Sequence, residues 1–160
     1  MKEIKIESTL QLYEDLESLP KHVQNLFQRS FQARDKAYAP YSHFSVGAAI
    51  LLGNGEIIVG NNQENACYPS GLCAERTAIY AAGANFPDSV IRTMVISAKS
   101  KESTLHQPAP PCGACRQAIA EYEYKQQKPI EIYFMGETGS IARSHSLANL
   151  LPLVFDNSYL

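Results

Sequence analysis

Three cysteines in two short motifs constrain the fold of this 160-residue chain more than any other feature. Cys73 stands in GLCAERTAI, and Cys112 and Cys115 form a C-x-x-C in PPCGACRQAI. The spacing of apolar residues predicts that one helix begins near Cys73 and another near Cys112. If the three thiols share one metal ion, the fold has to bring two distant helix starts together.

The cysteines are open to three interpretations, namely disulfides, a redox dithiol and a zinc site. The start of the chain, MKEIKIESTLQLYEDL, lacks the apolar stretch of an export signal, so we expect a cytoplasmic protein with reduced thiols. A redox dithiol has no need of Cys73, whereas a catalytic zinc ion takes three protein ligands. Cys73, Cys112 and Cys115 are therefore the predicted Zn²⁺ ligands, and the helix N-termini favour their thiolate forms.

Two other residues bear on whether such a site is open. Cys67 lies outside the metal pattern and is interpreted as a small, buried apolar residue. His106 precedes the C-x-x-C and is expected to be solvated. A non-enzymatic zinc module closed by four ligands stays an alternative, and Cys67 as fourth ligand would favour it.

Glu75 and Arg76 follow the first cysteine within one helical turn. Three thiolates overcompensate the charge of a dication, so Arg76, and less strongly Arg116, is expected to donate to the sulfurs. Glu75 is close enough to a ligand to exchange protons with a reacting water, although a first-turn glutamate also simply favours the helix dipole. The combination C-x-E with P-C-x-x-C is the arrangement of zinc deaminases, which favours the catalytic role.

Hydrophobic patterns predict a single α/β domain with a mixed sheet over residues 1–160. Alternating apolar residues between Ile4 and Leu12 indicate a strand or extended arm, in an N-terminal extension (1–30) of unassigned role. LPKHVQNLFQRSFQARDKAYAP predicts a helix whose pattern Pro40 ends. FSVGAAILLGNGEIIVGNN predicts a hairpin with a two-residue Asn54-Gly55 turn. Three more strands are predicted in IRTMVISA, IEIYFM and SIARSHS, the last two paired, and LANLLP is expected to form a closing helix or turn.

The chain resembles the cytidine deaminase family in the stretches YSHFSVGAAI, GNNQENACYPSGLCAERTAI and PCGACRQ. They follow the family's order over about residues 30–155, and they look like the small, three-cysteine, homotetrameric branch. The resemblance implies a three-layer α/β/α fold with about five strands. It also implies a zinc hydrolase that converts cytidine and 2′-deoxycytidine to uridine and 2′-deoxyuridine in pyrimidine salvage.

The resemblance also assigns substrate contacts. Asn62 and Glu64 would hold the ribose hydroxyls, which an amide donor and a carboxylate acceptor suit. Phe44 would stack near the base, and the backbone N–H of Ala74 would contact the pyrimidine edge. Tyr68 and Phe155 would lie where neighbouring subunits complete one another's sites.

Other functions fit the sequence less well. A related deaminase of blasticidin S type shares C-A-E-R and P-C-x-x-C, and it is the alternative for an enzyme of this fold. The formal net charge of -2 argues against a protein that binds nucleic acid polymers, which needs a basic surface. No apolar run is long enough for a membrane span, so no membrane partner is expected.

Overall fold

The computed structural model describes all residues from 1 to 160, and it contains three α-helices and six strands. The helices are α1 (Lys21–Arg34), α2 (Ala74–Asn85) and α3 (Gly113–Gln126). The strands are β1 (Gln11–Tyr13), β2 (Phe44–Leu52), β3 (Ile57–Asn61), β4 (Ile91–Ser100), β5 (Glu131–Met135) and β6 (Ile141–Ser144). No helix combines the length and the apolar character that crossing a membrane requires.

The strands form one mixed sheet in the order β1-β6-β5-β4-β2-β3, in which only β4 and β5 are parallel. A mixed α/β sheet is confirmed, and β1 adds a sixth strand to the five expected. Because β3 and β4 both pair antiparallel with β2, they run in the same direction. The helices that follow them, α2 and α3, therefore begin at the same end of the sheet, which brings the cysteine motifs together.

Two apolar clusters lie on opposite faces of this sheet, which gives the three-layer arrangement. Successive side chains of β4 point to opposite faces of the sheet. Met94 and Ile96 pack in the cluster under α2 and α3, while Val95 packs in the cluster under α1. Strand β4 is buried on both faces because helices cover both sides, which explains its continuous apolar sequence. The sheet is thus a rigid base for the two cysteine-bearing helix starts.

Local details differ from the sequence-based predictions at three places. Only Gln11–Tyr13 of the predicted N-terminal strand pairs with the sheet, and residues 1–10 form no regular structure. Helix α1 ends at Arg34, well before Pro40, because the chain turns so that the Tyr38 N–H reaches the Asn62 carbonyl. The hairpin is confirmed, but residues 53–56 connect its strands, and Gly55 alone takes a positive φ, of 91°. The paired strands β5 and β6 are as predicted, and LANLLP forms a turn.

Candidate active site

The sulfur atoms of Cys73, Cys112 and Cys115 meet at the common end of α2 and α3. Cys73 and Cys112 immediately precede the first residues of α2 and α3, and neither side chain caps its helix. The sulfur of Cys112 lies 4.0 Å from that of Cys73 and 3.4 Å from that of Cys115, and all three lie within 4.8 Å of one another. Tetrahedral zinc with bonds of about 2.3 Å places its sulfur ligands roughly 3.8 Å apart, so the donor set fits Zn²⁺.

The cluster contains three ligands and no fourth. Cys67 and His106 are not members of it. Cys67 is exposed, so its interpretation as a buried apolar residue was wrong; it lies in the irregular loop before α2, where Asn65 accepts its backbone N–H. The His106 ring instead bonds the Thr138 hydroxyl. A site with three thiolates leaves one tetrahedral position open, as catalysis requires.

The three sulfurs differ in their surroundings. A hydrogen bond with Cys115 and the nearby Arg76 guanidinium lower the pKa of Cys73 to about 5. The same hydrogen bond, together with burial, raises the pKa of Cys115. The surroundings of Cys73 thus favour its thiolate form, and a bound dication would ionise the other two thiols.

The two arginines that follow the cysteines have different partners. Arg76 points a guanidinium nitrogen at the sulfur of Cys73, 3.7 Å away. Arg116 contacts none of the sulfurs, because its Nε donates to the Pro111 carbonyl at 2.8 Å and its Nη1 to the Leu150 carbonyl at 3.1 Å. Only Arg76 is therefore placed to offset thiolate charge.

Glu75 lies in the first turn of α2 and is only 5% exposed. Burial raises the pKa of its carboxyl, and the negative Cys73 acts in the same direction. The backbone N–H of Glu75 and the nearby Cys115 thiol oppose the rise in this pKa, so the carboxyl lies close to the predicted ligands. A carboxyl with a raised pKa is suited to hold a proton and pass it on near neutral pH.

A cavity of about 350 Å³ opens next to the cysteine cluster. Cys73 and Arg76 line it together with Asn62, Glu64 and Tyr68, so sequence-predicted residues from three segments share one cavity. Its size lies within the roughly 300–1,000 Å³ of small-molecule sites. A larger, shallower hollow of about 1360 Å³ surrounds the start of β4, but no cysteine and no other predicted site residue lines it.

Asn62 and Glu64 are held firmly in this cavity wall. The Asn62 side chain accepts from the Val46 N–H at 2.8 Å and donates to the Phe44 carbonyl at 2.9 Å, which leaves one amide N–H free. Glu64 accepts from the backbone N–H groups of Tyr41 and Ser42, and from the Ser42 hydroxyl. Sequence reasoning missed this support from Tyr41 and Ser42, although both stand in the same YSHF stretch as Phe44.

The other predicted substrate residues are spread around the cavity. Tyr68 is 75% exposed and its ring lies 6.0 Å from that of Tyr41, both lining the cavity. Phe44 is half-buried at the start of β2, and Ala74 is fully buried; neither lines the cavity. Phe155 is 59% exposed and stacks on Tyr159, away from the cavity of its own chain.

Comparison with known proteins is consistent with this site. The family described as the cytidine and deoxycytidylate deaminase zinc-binding region matches residues 20–128. Cytidine deaminase from Halalkalibacterium halodurans is 38% identical over 132 residues, which are 82% of this chain and 92% of that relative. Cytidine deaminase from Sporosarcina psychrophila is also 38% identical, over 86% of this chain and 94% of that relative.

A solved structure extends the likeness to the fold. The crystal structure of cytidine deaminase from Burkholderia pseudomallei superimposes with a TM-score of 0.72 at 35% identity. The match covers 86% of this chain and 100% of that one. The chain therefore belongs to the cytidine and deoxycytidylate deaminase family.

Proposed function

We propose that this protein is a zinc-dependent hydrolase that converts cytidine and 2′-deoxycytidine to uridine and 2′-deoxyuridine with release of ammonia. The observation that carries this proposal is the three-sulfur cluster with the buried carboxyl of Glu75 beside it, at the edge of a nucleoside-sized cavity. The cytidine deaminases that resemble the chain over most of its length support the choice of substrate. Such a reaction serves pyrimidine salvage.

Cys73, Cys112 and Cys115 would hold the zinc ion. When bound, Zn²⁺ supplies a Lewis acid that lowers the pKa of water and makes it nucleophilic at neutral pH. Arg76 moderates the negative charge of the thiolates through its contact with Cys73. The chain's contribution at this point is thus a rigid, charge-balanced set of three sulfurs.

Glu75 moves the protons of the reaction. Its carboxylate takes a proton from the attacking water and delivers it to N3 of the pyrimidine ring, which makes C4 more electrophilic. The water oxygen adds to C4, and the same carboxyl then carries the remaining proton of that oxygen to the amino group, so that the C4–N bond breaks, ammonia leaves and the C4 carbonyl forms. Burial supports this role, because it raises the pKa of Glu75 toward the range where a carboxyl both accepts and donates.

Residues of the cavity wall would orient the substrate. The free amide N–H of Asn62 and the carboxylate of Glu64 suit the ribose hydroxyls, and both side chains are already fixed by backbone partners. Phe44 and the backbone N–H of Ala74 would contact the pyrimidine. Preorganised partners of this kind lower the entropy cost of binding a flexible nucleoside.

The proposal includes a homotetramer whose neighbouring subunits complete each site. Two exposed aromatic pairs support it, Tyr68 with Tyr41 on the cavity rim and Phe155 with Tyr159 in the C-terminal tail, because clustered apolar side chains left in solvent mark interaction surfaces. A cytoplasmic location is also proposed, since the zinc-binding thiols need a reducing compartment. Sedimentation equilibrium of the wild type and Phe155→Ala tests the assembly, and a monomeric, fully active wild type would contradict it.

The decisive experiment follows the loss of the cytidine ultraviolet band in the presence of purified protein. We expect turnover by the wild type and near-complete loss in Glu75→Gln, with zinc content unchanged in both. Glu121→Gln is the matched control, because Glu121 is an exposed glutamate on α3, and it should retain full activity. Substantial activity in Glu75→Gln would refute the role of Glu75. A zinc-loaded wild type that leaves cytidine intact but deaminates a blasticidin-like amine would refute the substrate.

A further inference from the structure

The N-terminal extension is fastened to the domain at Asn149. The Asn149 side chain accepts from the Thr9 N–H at 2.9 Å and donates to the Thr9 carbonyl at 2.9 Å, so it pairs with this residue as a neighbouring strand would. The Ser8 hydroxyl adds a bond of 2.8 Å to the Asn149 carbonyl. The second N–H of the Asn149 amide donates to the Ser144 hydroxyl at 2.8 Å, which anchors the same side chain to β6.

The segment that makes these contacts is short and well defined. Residues 8–13, called the strap below, combine the Asn149 contacts with the pairing of β1 to β6. The residues before the strap are all exposed, and their one polar contact is the ion pair between Lys5 and Glu7. The first 13 residues of the extension therefore divide into a free end and a fastened strap.

The turn that holds Asn149 is itself tied to the start of α3. The next residue, Leu150, offers its carbonyl to Arg116, and the same guanidinium donates to the carbonyl of Pro111, directly before Cys112. The backbone N–H of Arg116 also bonds the Cys112 carbonyl. A continuous set of hydrogen bonds thus joins the strap to the chain at a predicted zinc ligand.

The geometry points to a positioning role for the N-terminal strap: through Asn149, Leu150 and Arg116, it fixes the start of α3 and with it the sulfur of Cys112. Arg116 and Asn149 act as positioning residues, which explains why Arg116 turns away from the sulfurs. Cys112 needs such support because it is exposed, unlike the buried Cys115. This inference concerns the site of the proposed function. It rests on that proposal in one respect, namely that the three cysteines bind zinc.

Zinc retention tests the strap without any need for turnover. Two truncated proteins are compared, one lacking residues 2–6 and one lacking residues 2–9, and the transfer of zinc to a chelator is timed. We expect the shorter deletion to match the full chain and the longer one to lose zinc about fivefold faster, the effect of roughly one net hydrogen bond. Asn149→Ala should behave like the longer deletion, and amide exchange at Leu150 and Leu151 should accelerate in both.

A double-mutant cycle then distinguishes positioning through Arg116 from general loosening of the fold. Arg116→Gln should also accelerate zinc loss, and the longer deletion should add little in that background. Equal zinc loss from both deletions, or fully additive effects with Arg116→Gln, would overturn the inference. Because zinc loss and amide exchange do not depend on the substrate, a failure of cytidine turnover alone would count against the proposed function and not against the strap.

Discussion

The starts of α2 and α3 look alike in sequence but are built differently. Each directly follows a cysteine of the three-sulfur cluster, and each carries an arginine within about one turn of that cysteine. At α2 the chain is deeply packed, since Ala74 is fully buried and Glu75 nearly so. At the start of α3, Cys112 and the first two helical residues, Gly113 and Ala114, are exposed.

The arginines at the two helix starts differ in their contacts. Arg76 contacts a sulfur and acts through charge, whereas Arg116 contacts two backbone carbonyls and acts through position. The buried start is held by packing, so its arginine is available for electrostatics. The exposed start lacks such packing and uses hydrogen bonds to neighbouring segments instead. Similar local motifs therefore serve different physical tasks at the two halves of one site.

Among the substitutions that test the difference between the starts of α2 and α3, Gly60→Ala is expected to have the largest effect on stability. A Cβ at Gly60 would lie 2.5 Å from the Ala74 carbonyl oxygen and 2.6 Å from the Ala78 nitrogen, both backbone atoms of α2. Because neither atom can move alone, the helix has to shift, and we expect a loss of about 3 kcal/mol in the free energy of unfolding. Urea denaturation measures it, and a loss below about 0.5 kcal/mol would show that the start of α2 is not tightly packed.

The next effect is electrostatic and concerns Arg76→Gln in the zinc-free protein. Arg76 helps to lower the pKa of Cys73 to about 5, so its removal should raise that pKa and move alkylation of Cys73 by iodoacetamide to higher pH. The shift is partial, because the hydrogen bond with Cys115 is the larger cause and persists. Mass spectrometry of the Cys73 peptide across the pH range measures it.

Arg116→Gln is the control for this experiment. It should leave the alkylation profile of Cys73 unchanged, since Arg116 contacts no sulfur. Equal displacement of the profile by both substitutions would mean that the two arginines share one electrostatic role, and the distinction between the helix starts would fail.

The smallest effect is expected from Gly113→Ala at the exposed start. No atom lies within 4 Å of a Cβ at Gly113, and its φ is not positive, so alanine fits without strain. Alanine restricts the unfolded chain more than glycine does, which should stabilise the protein by about 0.5 kcal/mol. Thermal unfolding of the zinc-loaded variant checks the sign, and clear destabilisation would indicate a constraint on α3 that its exposure hides.

Much of the fold and of the site was predictable from the sequence. The C-x-E and P-C-x-x-C motifs carry their own chemistry, so the three cysteines that the fold brings together and the carboxyl beside them followed from residue type and spacing. The strands were predictable where apolar residues repeat, as in β4, because burial on two faces demands a continuous apolar run. The hairpin was predictable from Asn54-Gly55, although residues 53–56 make a wider connection, in which the Gly53 N–H bonds the Val90 carbonyl of a distant segment.

The errors arose where remote contacts decide the outcome. Cys67 resembles a core residue by type, but it is exposed in the irregular loop before α2. The N-terminal pattern predicts a strand or an extended arm from Ile4 onward; only Gln11–Tyr13 reach β6 and pair, and residues 1–10 stay outside the sheet. Neither the contact of Arg116 with Leu150 nor that of Asn149 with Thr9 has a local signal, because each joins residues far apart along the chain.

The sequence by itself determined which groups are present: three thiols at helix starts, a carboxyl two residues from one of them, and apolar periods that define the sheet. Tertiary structure alone decided how these groups are used. The common direction of β3 and β4 brings both helix starts to one end of the sheet, and burial there raises the pKa of Glu75. Residue type and spacing are properties of the chain, whereas burial and distant hydrogen bonds exist only after the chain has folded.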